Sequence, residues 1–236
     1  MTGFVDMHCH IVPYVDDGAN DMDEAIKMLK MEYAEGVRTI IATPHFRKKM
    51  FETPREDIIK QFLRLRDAAK NVGDEGIQMY LGCELHSNMD LASLLREKKV
   101  SSMAGSRYVL LEFSGSAESK YIRERTYSLI SSGYKPILAH IERKEKLRKD
   151  LELVEELIDM GARMQVNTES ITGDFSTKRF CKKLMKNELL HFVGTDCHGS
   201  TYRVPKMKEA YNYVAKKFGE DYANEIFIEN PQRIIK

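Results

Sequence analysis

The 236-residue sequence has no run of about 18 consecutive apolar residues, and its first residues lack the basic flank and apolar segment of a signal peptide. We therefore expect no membrane insertion and a cytoplasmic location. Neither sign of charge is in excess, because 37 Lys and Arg balance 36 Asp and Glu to a formal net charge of +1. Without a basic surface, nucleic acid is not expected as a partner.

Cysteine is scarce, with four residues scattered at Cys9, Cys83, Cys181 and Cys197. A chain of this size has core enough without disulfides, so these thiols are expected to be reduced. Hydrophobic residues make up 42% of the chain, and no low-complexity stretch or linker rich in Pro, Gly or Ser interrupts it. Intrinsic disorder is thereby excluded, and one domain spanning residues 1–236 is predicted.

Seven short runs rich in strand-forming residues recur along the chain, and a longer segment with helical spacing follows each of them. They cover residues 4–7, 39–42, 78–82, 108–113, 136–139, 164–166 and 192–195. Helix boundaries are predicted from a capping box at residues 53–56 and from Gly36 and Gly161, which follow two helical patterns. This alternation predicts an α/β fold with a parallel sheet.

The polar residues that end these runs are nearly evenly spaced. The differences between them are 39, 28, 28, 27 and 29 for the series His45, Glu84, Glu112, His140, Asn167 and Asp196. No glycine-rich nucleotide-binding motif follows the first run. The spacing favours a distorted (β/α)7 TIM-like barrel, one unit short of the common eight, with its site at the C-terminal rim of the strands.

Five of the seven histidines are predicted to lie at that rim: His8, His10, His45, His140 and His198. Strand alternation places His8 and His10 on one side of the first strand and Cys9 on the other. Imidazoles mixed with Glu84, Glu112 and Asp196 suit Mn²⁺, Fe or Zn²⁺. With the acidic pair Asp16–Asp17 there are more donors than one ion can use, so two or three ions are expected.

A site in which several metal ions share carboxylates can activate a water molecule and hold an electrophile between the ions. Such a site is typical of enzymes that hydrolyse phosphate esters. Arg143 and Arg203 lie near the strand ends, and their guanidinium groups suit a phosphoryl dianion. His86 is expected beside the ligands rather than among them. His191 begins a run instead of ending one, so a structural role at the opposite rim is predicted.

Other interpretations of these residues are open. Cys197 and Arg203 fit the Cys-x-x-x-x-x-Arg spacing of cysteine-dependent phosphatases, although alternation turns the thiol away from Asp196 and His198. A metal-dependent amidohydrolase would require a histidine or modified lysine at Glu84 and Glu112. A phosphatase for histidinol phosphate or another small phosphomonoester would share the metal ligands. A non-enzymatic, metal-stabilised accessory module is the remaining alternative.

The motifs in combination resemble a known family. They are His8-Cys9-His10, Asp16-Asp17-Gly18, Thr43-Pro44-His45, Phe51-Glu52-Thr53-Pro54, Leu111-Glu112-Phe113, Ala139-His140-Ile141-Glu142-Arg143, Thr195-Asp196-Cys197-His198 and Asn230-Pro231. The sequence is similar to the bacterial tyrosine-protein phosphatases of capsule and exopolysaccharide synthesis, in the polymerase and histidinol phosphatase superfamily. The resemblance implies a distorted seven-stranded barrel that holds three divalent ions, commonly Mn²⁺, and hydrolyses phosphotyrosine.

The resemblance also implies roles for individual residues. The first metal would be held by His8, His10, Glu84 and Asp196. Glu84 would bridge to a second ion bound by Glu112 and His140, and the third would be bound by His45, His198 and an acid of the Asp16–Asp17 pair, with Asp17 preferred because it precedes Gly18. Arg143 and Arg203 would bind phosphate and act with Asp196 in catalysis. The implied partner is the tyrosine-phosphorylated C-terminal tail of a bacterial tyrosine autokinase.

Overall fold

A computed structural model describes residues 3–87 and 90–235 as strands enclosed by helices. The strands are β1 (Phe4–Cys9), β2 (Val37–Ala42), β3 (His45–Phe46), β4 (Gln78–Leu81), β5 (Glu84–His86), β6 (Tyr108–Glu112), β7 (Lys135–Leu138), β8 (Arg163–Asn167) and β9 (Phe192–Gly194). The α-helices are α1 (Met22–Ala34), α2 (Arg55–Ala69), α3 (Leu91–Arg96), α4 (Ser119–Ser131), α5 (Glu145–Lys149), α6 (Leu151–Asp159), α7 (Thr168–Thr172), α8 (Phe175–Lys186), α9 (Met207–Phe218), α10 (Glu220–Asn224) and α11 (Asn230–Ile235). The predicted α/β class is confirmed.

The strands form two parallel sheets, in the orders β1-β2-β4 and β3-β5-β6-β7-β8-β9. The sequence predicts seven strands, and the described residues contain nine, because the short strands β3 and β5 were missed. Each follows a break after a predicted run: Pro44 separates β2 from β3 and has no N–H to continue the ladder. Backbone hydrogen bonds continue the pairing through this break, since Gly82 N donates to Ala42 O at 2.7 Å and Glu84 N to Pro44 O at 3.0 Å.

The two ends of the strand series meet beside β1. Asp196 N, just after β9, donates to His8 O at 2.7 Å, and His10 N donates to Cys197 O at 2.9 Å. The sheets therefore curl into the distorted barrel expected from the spacing. This junction brings the residues that follow the first and last strands into contact, although nearly the whole chain separates them.

Two helix predictions are wrong in detail. The capping box at residues 53–56 does not form: Pro54 is the N-cap of α2, and Thr53 Oγ1 donates to Val15 O at 2.8 Å instead. The helical pattern that ends at Gly161 is two helices, because Asp150 ends α5 and its side chain accepts a hydrogen bond from Leu153 N at 3.0 Å. Asp150 is therefore the N-cap of α6, and it starts a new helix in the middle of one continuous hydrophobic pattern.

Most buried apolar side chains form one cluster between the strands and the surrounding helices. A second cluster joins side chains of β1, β2, β6, β7 and β9 with Ile234 of α11. No helix in the described ranges is both long and apolar enough to cross a bilayer. The single domain of residues 1–236 stays a prediction, and its first two residues and its last lie outside the described part.

Candidate metal centre

Four buried side chains from three strand ends converge at the rim. His8 Nε2 lies 3.3 Å from Glu84 Oε2 and 3.4 Å from Asp196 Oδ1. His10 Nε2 lies 3.2 Å and 3.4 Å from the same two oxygens. Their ligand atoms are close enough together to hold one metal ion. These are the four residues that the sequence resemblance assigns to a first ion.

The second carboxylate oxygen of Glu84 faces a different group. His140 Nε2 lies 2.8 Å from Glu84 Oε1 and 3.8 Å from Glu112 Oε1. His45 Nδ1 lies 3.1 Å from Glu84 Oε2, and His45, Glu84 and Glu112 can also converge on one ion. Glu84 is therefore placed to bridge two ions, with His45 between the clusters.

Asp16 and Asp17 differ in what they contact. Asp17 Oδ1 lies 3.6 Å from His45 Nε2 and 3.7 Å from His198 Nε2, and its side chain is 52% exposed. Asp16 is buried and accepts hydrogen bonds from His10 Nδ1 at 2.8 Å and His45 N at 2.9 Å. Asp17, His10, His45 and His198 can converge on one ion, whereas Asp16 orients His10.

Three histidines have their ring orientation fixed by an oxygen acceptor. His10 Nδ1 donates to Asp16, His8 Nδ1 to Gln165 Oε1 at 3.3 Å, and His198 Nδ1 to the carbonyl of Asp196 at 2.9 Å. With Nδ1 donating, Nε2 of the neutral ring is the atom that can bind a cation. Metal-binding histidines in proteins are commonly held in this way.

Two amide side chains of β8 support the centre, and the sequence analysis assigned them no role. Gln165 Oε1 also accepts from His140 N at 2.7 Å, and Gln165 Nε2 donates to Asn167 Oδ1 at 2.9 Å. Asn167 Nδ2 donates in turn to Asp196 Oδ2 at 2.7 Å. Gln165 and Asn167 alternate with apolar residues in a buried strand, and this pattern in the sequence could have indicated that they support a site.

A second buried polar group lies behind the centre. Asp6 accepts hydrogen bonds from His8 N at 3.2 Å and Thr195 N at 2.9 Å, so it ties β1 to the segment after β9. Cys197 Sγ lies 3.3 Å from Glu32 Oε1, and burial raises the pKa of Glu32 well above its ordinary value. The thiol is completely buried and faces away from the rim, as strand alternation predicted.

Charge at the centre favours cation binding. Burial acts to raise the pKa of Glu84 and Asp196, but the neighbouring histidines, His8 foremost, hold both well below the ordinary value. Burial raises the pKa of Glu112 to about 7, assisted by the charge of Glu84. Burial acts to lower the pKa of His10, yet contacts with Asp16, Asp196 and Glu84 raise it, so positive charge is favoured between these carboxylates.

The residues fit divalent cations. Within the described residues no donor hydrogen-bonds the buried Glu84 Oε2, and His45 Nδ1 and His198 Nε2 are likewise without a hydrogen-bond partner. Each unsatisfied buried polar atom costs about 1–3 kcal/mol. Cations bound by nitrogen and oxygen ligands would satisfy these atoms.

Both predicted arginines reach this centre. Arg143 Nη1 donates to Asp196 Oδ2 at 2.9 Å, and Arg203 Nη2 donates to the same oxygen. They line a cavity of about 440 Å³ together with Glu169, Tyr202 and Lys206. His86 is paired in register with Glu112 and belongs to none of the candidate metal clusters among the described residues.

A parallel α/β barrel with histidine and carboxylate clusters at its rim and arginines beside them belongs to the class of metal-dependent hydrolase folds. The family model for capsular polysaccharide synthesis proteins CpsB/CapC matches residues 4–236. The chain belongs to this family.

Individual relatives agree with this assignment. The chain is 39% identical to tyrosine-protein phosphatase CpsB of Streptococcus pneumoniae over 98% of each chain. It is 31% identical to tyrosine-protein phosphatase YwqE of Bacillus subtilis, over 92% of this chain and 86% of YwqE. The crystal structures of YwqE and CpsB, described as unique metal-dependent tyrosine phosphatases, include a chain that matches with a TM-score of 0.89 and 29% identity, over 98% of this chain and 94% of the other.

Proposed function

We propose that this protein is a metal-dependent protein-tyrosine phosphatase that regulates capsular or exopolysaccharide synthesis. The observation that carries the proposal is the meeting of Arg143 and Arg203 at Asp196, whose other oxygen faces His8 and His10. Phosphate-binding side chains and metal ligands thus share one carboxylate. The relatives named as tyrosine-protein phosphatases support the same activity.

Three divalent ions, most suitably Mn²⁺, are proposed as cofactors, with Fe or Zn²⁺ as substitutes. His8, His10, Glu84 and Asp196 would hold the first ion. Glu84, Glu112 and His140 would hold the second, and Asp17, His45 and His198 the third. Bound there, the ions supply Lewis acidity and an activated water for attack on phosphorus.

The protein's own residues bind and orient the substrate. Arg143 and Arg203 would donate to phosphoryl oxygens at the rim and stabilise the charge that grows on them in the transition state. Asn167 and Asp16 keep Asp196 and His10 in place through the hydrogen bonds described above. Lys144, which donates to Phe113 O at 2.5 Å and lies 3.8 Å from Glu112, favours the ionised form of that carboxylate.

The proposed substrate is the tyrosine-phosphorylated C-terminal tail of a bacterial tyrosine autokinase, encountered in the cytoplasm. A flexible tail can present phosphotyrosine to an open rim, and several tyrosines on one tail raise the local concentration of substrate. The cytoplasmic location is part of this proposal, as the sequence predicted.

A substrate panel tests this assignment against its nearest alternative. Under the same Mn²⁺ conditions, kcat/KM is measured for phosphotyrosine peptides, phosphoserine peptides and histidinol phosphate. Phosphotyrosine peptides should be the best of the three. A tenfold or greater preference for histidinol phosphate would instead support a small-molecule phosphatase, and no turnover of any phosphate ester would support an accessory module.

A further inference from the structure

A groove runs along the outside of the barrel between α2 and the segment that follows α3. It consists of a cavity of about 590 Å³ and an adjoining one of about 450 Å³, and the two share Arg66, Met79 and Tyr80. We call this the basic groove; the face of α2 that carries Arg55, Phe62 and Arg66 forms one wall, and Lys98 lies on the other. None of these residues belongs to the candidate metal centre.

The larger cavity of the groove carries positive charge that no described acidic side chain neutralises, whereas Glu75 lines the adjoining cavity and pairs with Arg38 at 3.6 Å. No acidic side chain lines the larger cavity, and within the described ranges Arg55, Arg66 and Lys98 form no ion pair. Arg55 Nε donates to the neutral Ser101 Oγ at 3.1 Å, and Arg66 lies 5.9 Å from the ring centroid of Phe62. A negatively charged ligand bound in the groove would neutralise these side chains.

The spacing of the two arginines along α2 indicates how long a ligand must be to contact both. Arg55 and Arg66 are eleven residues apart in α2, which places them on one helix face about 16 Å apart. This separation of their Cα atoms is several times the width of a single phosphate group. An extended peptide at about 3.3 Å per residue covers the distance with about five residues.

The floor of the groove suits an extended chain. Among the described strands β4 pairs only with β2, so it is an edge strand, and Met79, Tyr80 and Leu81 line the larger cavity. The edge of a sheet offers backbone N–H and C=O groups to a peptide that lies alongside it. Tyr80 and Phe62 add aromatic surface between the cations.

One end of the groove lies close to the candidate metal centre. Arg55 also lines a small cavity with Phe46 and Cys83, the chain neighbours of His45 and Glu84. Phe51, four residues before Arg55, stacks on the His45 ring at 5.2 Å between centroids. The Arg55 end of the groove is therefore the end nearest the rim.

We propose that the basic groove binds an acidic peptide segment in extended conformation, and that this segment belongs to the phosphoprotein whose phosphotyrosine enters the metal centre. The identity of the partner rests on the proposed function, whereas recognition of an acidic extended segment does not. The groove thus selects substrates by the charge of residues distant from the phosphotyrosine.

The test compares three full-length proteins: the wild type, the groove variant Arg55→Glu/Arg66→Glu, and the control variant Lys60→Glu/Arg64→Glu. Lys60 and Arg64 are exposed on the opposite face of α2 and line neither cavity. The control therefore leaves the groove intact, and because it also replaces two cations by two carboxylates, it changes the net charge by the same amount. The binding probe is an unphosphorylated, fluorescein-labelled peptide of about eight residues, half of them Glu, with a Gln-substituted peptide for comparison. Circular dichroism and thermal unfolding confirm that each variant is folded.

The groove variant should bind the Glu peptide at least tenfold more weakly than the wild type and the control variant, and the Gln peptide should bind weakly to all three. Equal affinity in wild type and groove variant, or equal loss in both variants, would overturn the proposal. If ATP binding is lost in the groove variant while the Glu peptide never binds, the groove holds a small polyanion and the proposal is wrong.

A kinetic comparison separates this proposal from the proposed function. For a phosphotyrosine peptide that carries the acidic segment, the groove variant should raise KM about tenfold, with kcat unchanged. Turnover of p-nitrophenyl phosphate should be the same in all three proteins. If the wild type hydrolyses no phosphotyrosine peptide, the proposed function fails, while the binding comparison still decides whether the groove takes an acidic segment.

Discussion

Glu84 faces its partners with both carboxylate oxygens. Oε1 lies 2.8 Å from His140, and Oε2 lies within 3.3 Å of nitrogen atoms of His8, His10 and His45. A buried carboxylate is costly unless positive charge surrounds it, and the imidazoles on both sides, or cations bound with them, would supply that charge. The sequence predicted that Glu84 lies at the end of a strand. It did not predict which group each carboxylate oxygen faces, because that depends on the break in the chain before β5.

Replacing Arg143 or Arg203 by alanine should lower kcat/KM on phosphotyrosine peptides by about 10²–10³, because one charged hydrogen bond in the transition state contributes about 2–4 kcal/mol. Metal content should be retained, since a guanidinium group is not a metal ligand. Asp196→Ala is the matched comparison and should lose both metal and turnover. Metal loss in the arginine variants, measured by elemental analysis, would contradict this division of roles.

Cys197→Ser should keep most of the turnover. Its thiol is buried against Glu32 and lies behind the metal ligands, so it cannot reach a phosphoryl group at the rim. The measurement is kcat/KM together with metal content and a thermal unfolding curve. A folded, metal-loaded Cys197→Ser protein without activity would show that the mechanism depends on the thiol.

At the scale of elements, the sequence predicted where strands occur better than where they stop. The seven apolar runs overlap β1, β2, β4, β6, β7, β8 and β9, although several of these strands begin or end outside their run. β3 and β5 are only two and three residues long, too short to show a period, and their pairing depends on partners distant in sequence. The same limit applies to Asp150, whose cap divides one continuous helical pattern into α5 and α6.

His191, just before β9, should make stability depend on pH. Burial and the neighbouring Arg163 lower the pKa of His191 to about 4, and its Nδ1 accepts from Met164 N at 3.3 Å. Because the unfolded chain, with a histidine pKa near 6.5, binds the proton more readily, the free energy of unfolding should fall as pH drops from about 6.5 towards 4.

Chemical denaturation of wild type and His191→Asn at pH 7 and pH 5 measures this contribution. The wild type should lose about 1–2 kcal/mol more than the variant over this interval. Since all other titrating groups are common to both proteins, their difference isolates His191. Parallel losses in the two proteins would show that the pKa of His191 is the same in the native and the unfolded state, and that burial does not lower it.

At the scale of the molecule, the site forms where the first and the last strand meet. Asp6 accepts a hydrogen bond from Thr195 N at 2.9 Å across 189 positions of sequence, and Asp196 joins His8 and His10 by the same closure. That the candidate ligands converge could be predicted, because each lies at or beside the end of a parallel strand and these ends meet at one rim. The basic groove could not, because its walls come from α2, β4 and the segment after α3, which no shared motif connects.

The most direct test is a metal titration of activity. The protein is stripped with a chelator, Mn²⁺ is returned in steps, and bound Mn²⁺ per chain is measured beside turnover of a phosphotyrosine peptide. The stripped protein should be inactive, and activity should rise with Mn²⁺ until three ions are bound per chain. Full activity in protein verified to be free of metal would contradict a metal-dependent phosphatase.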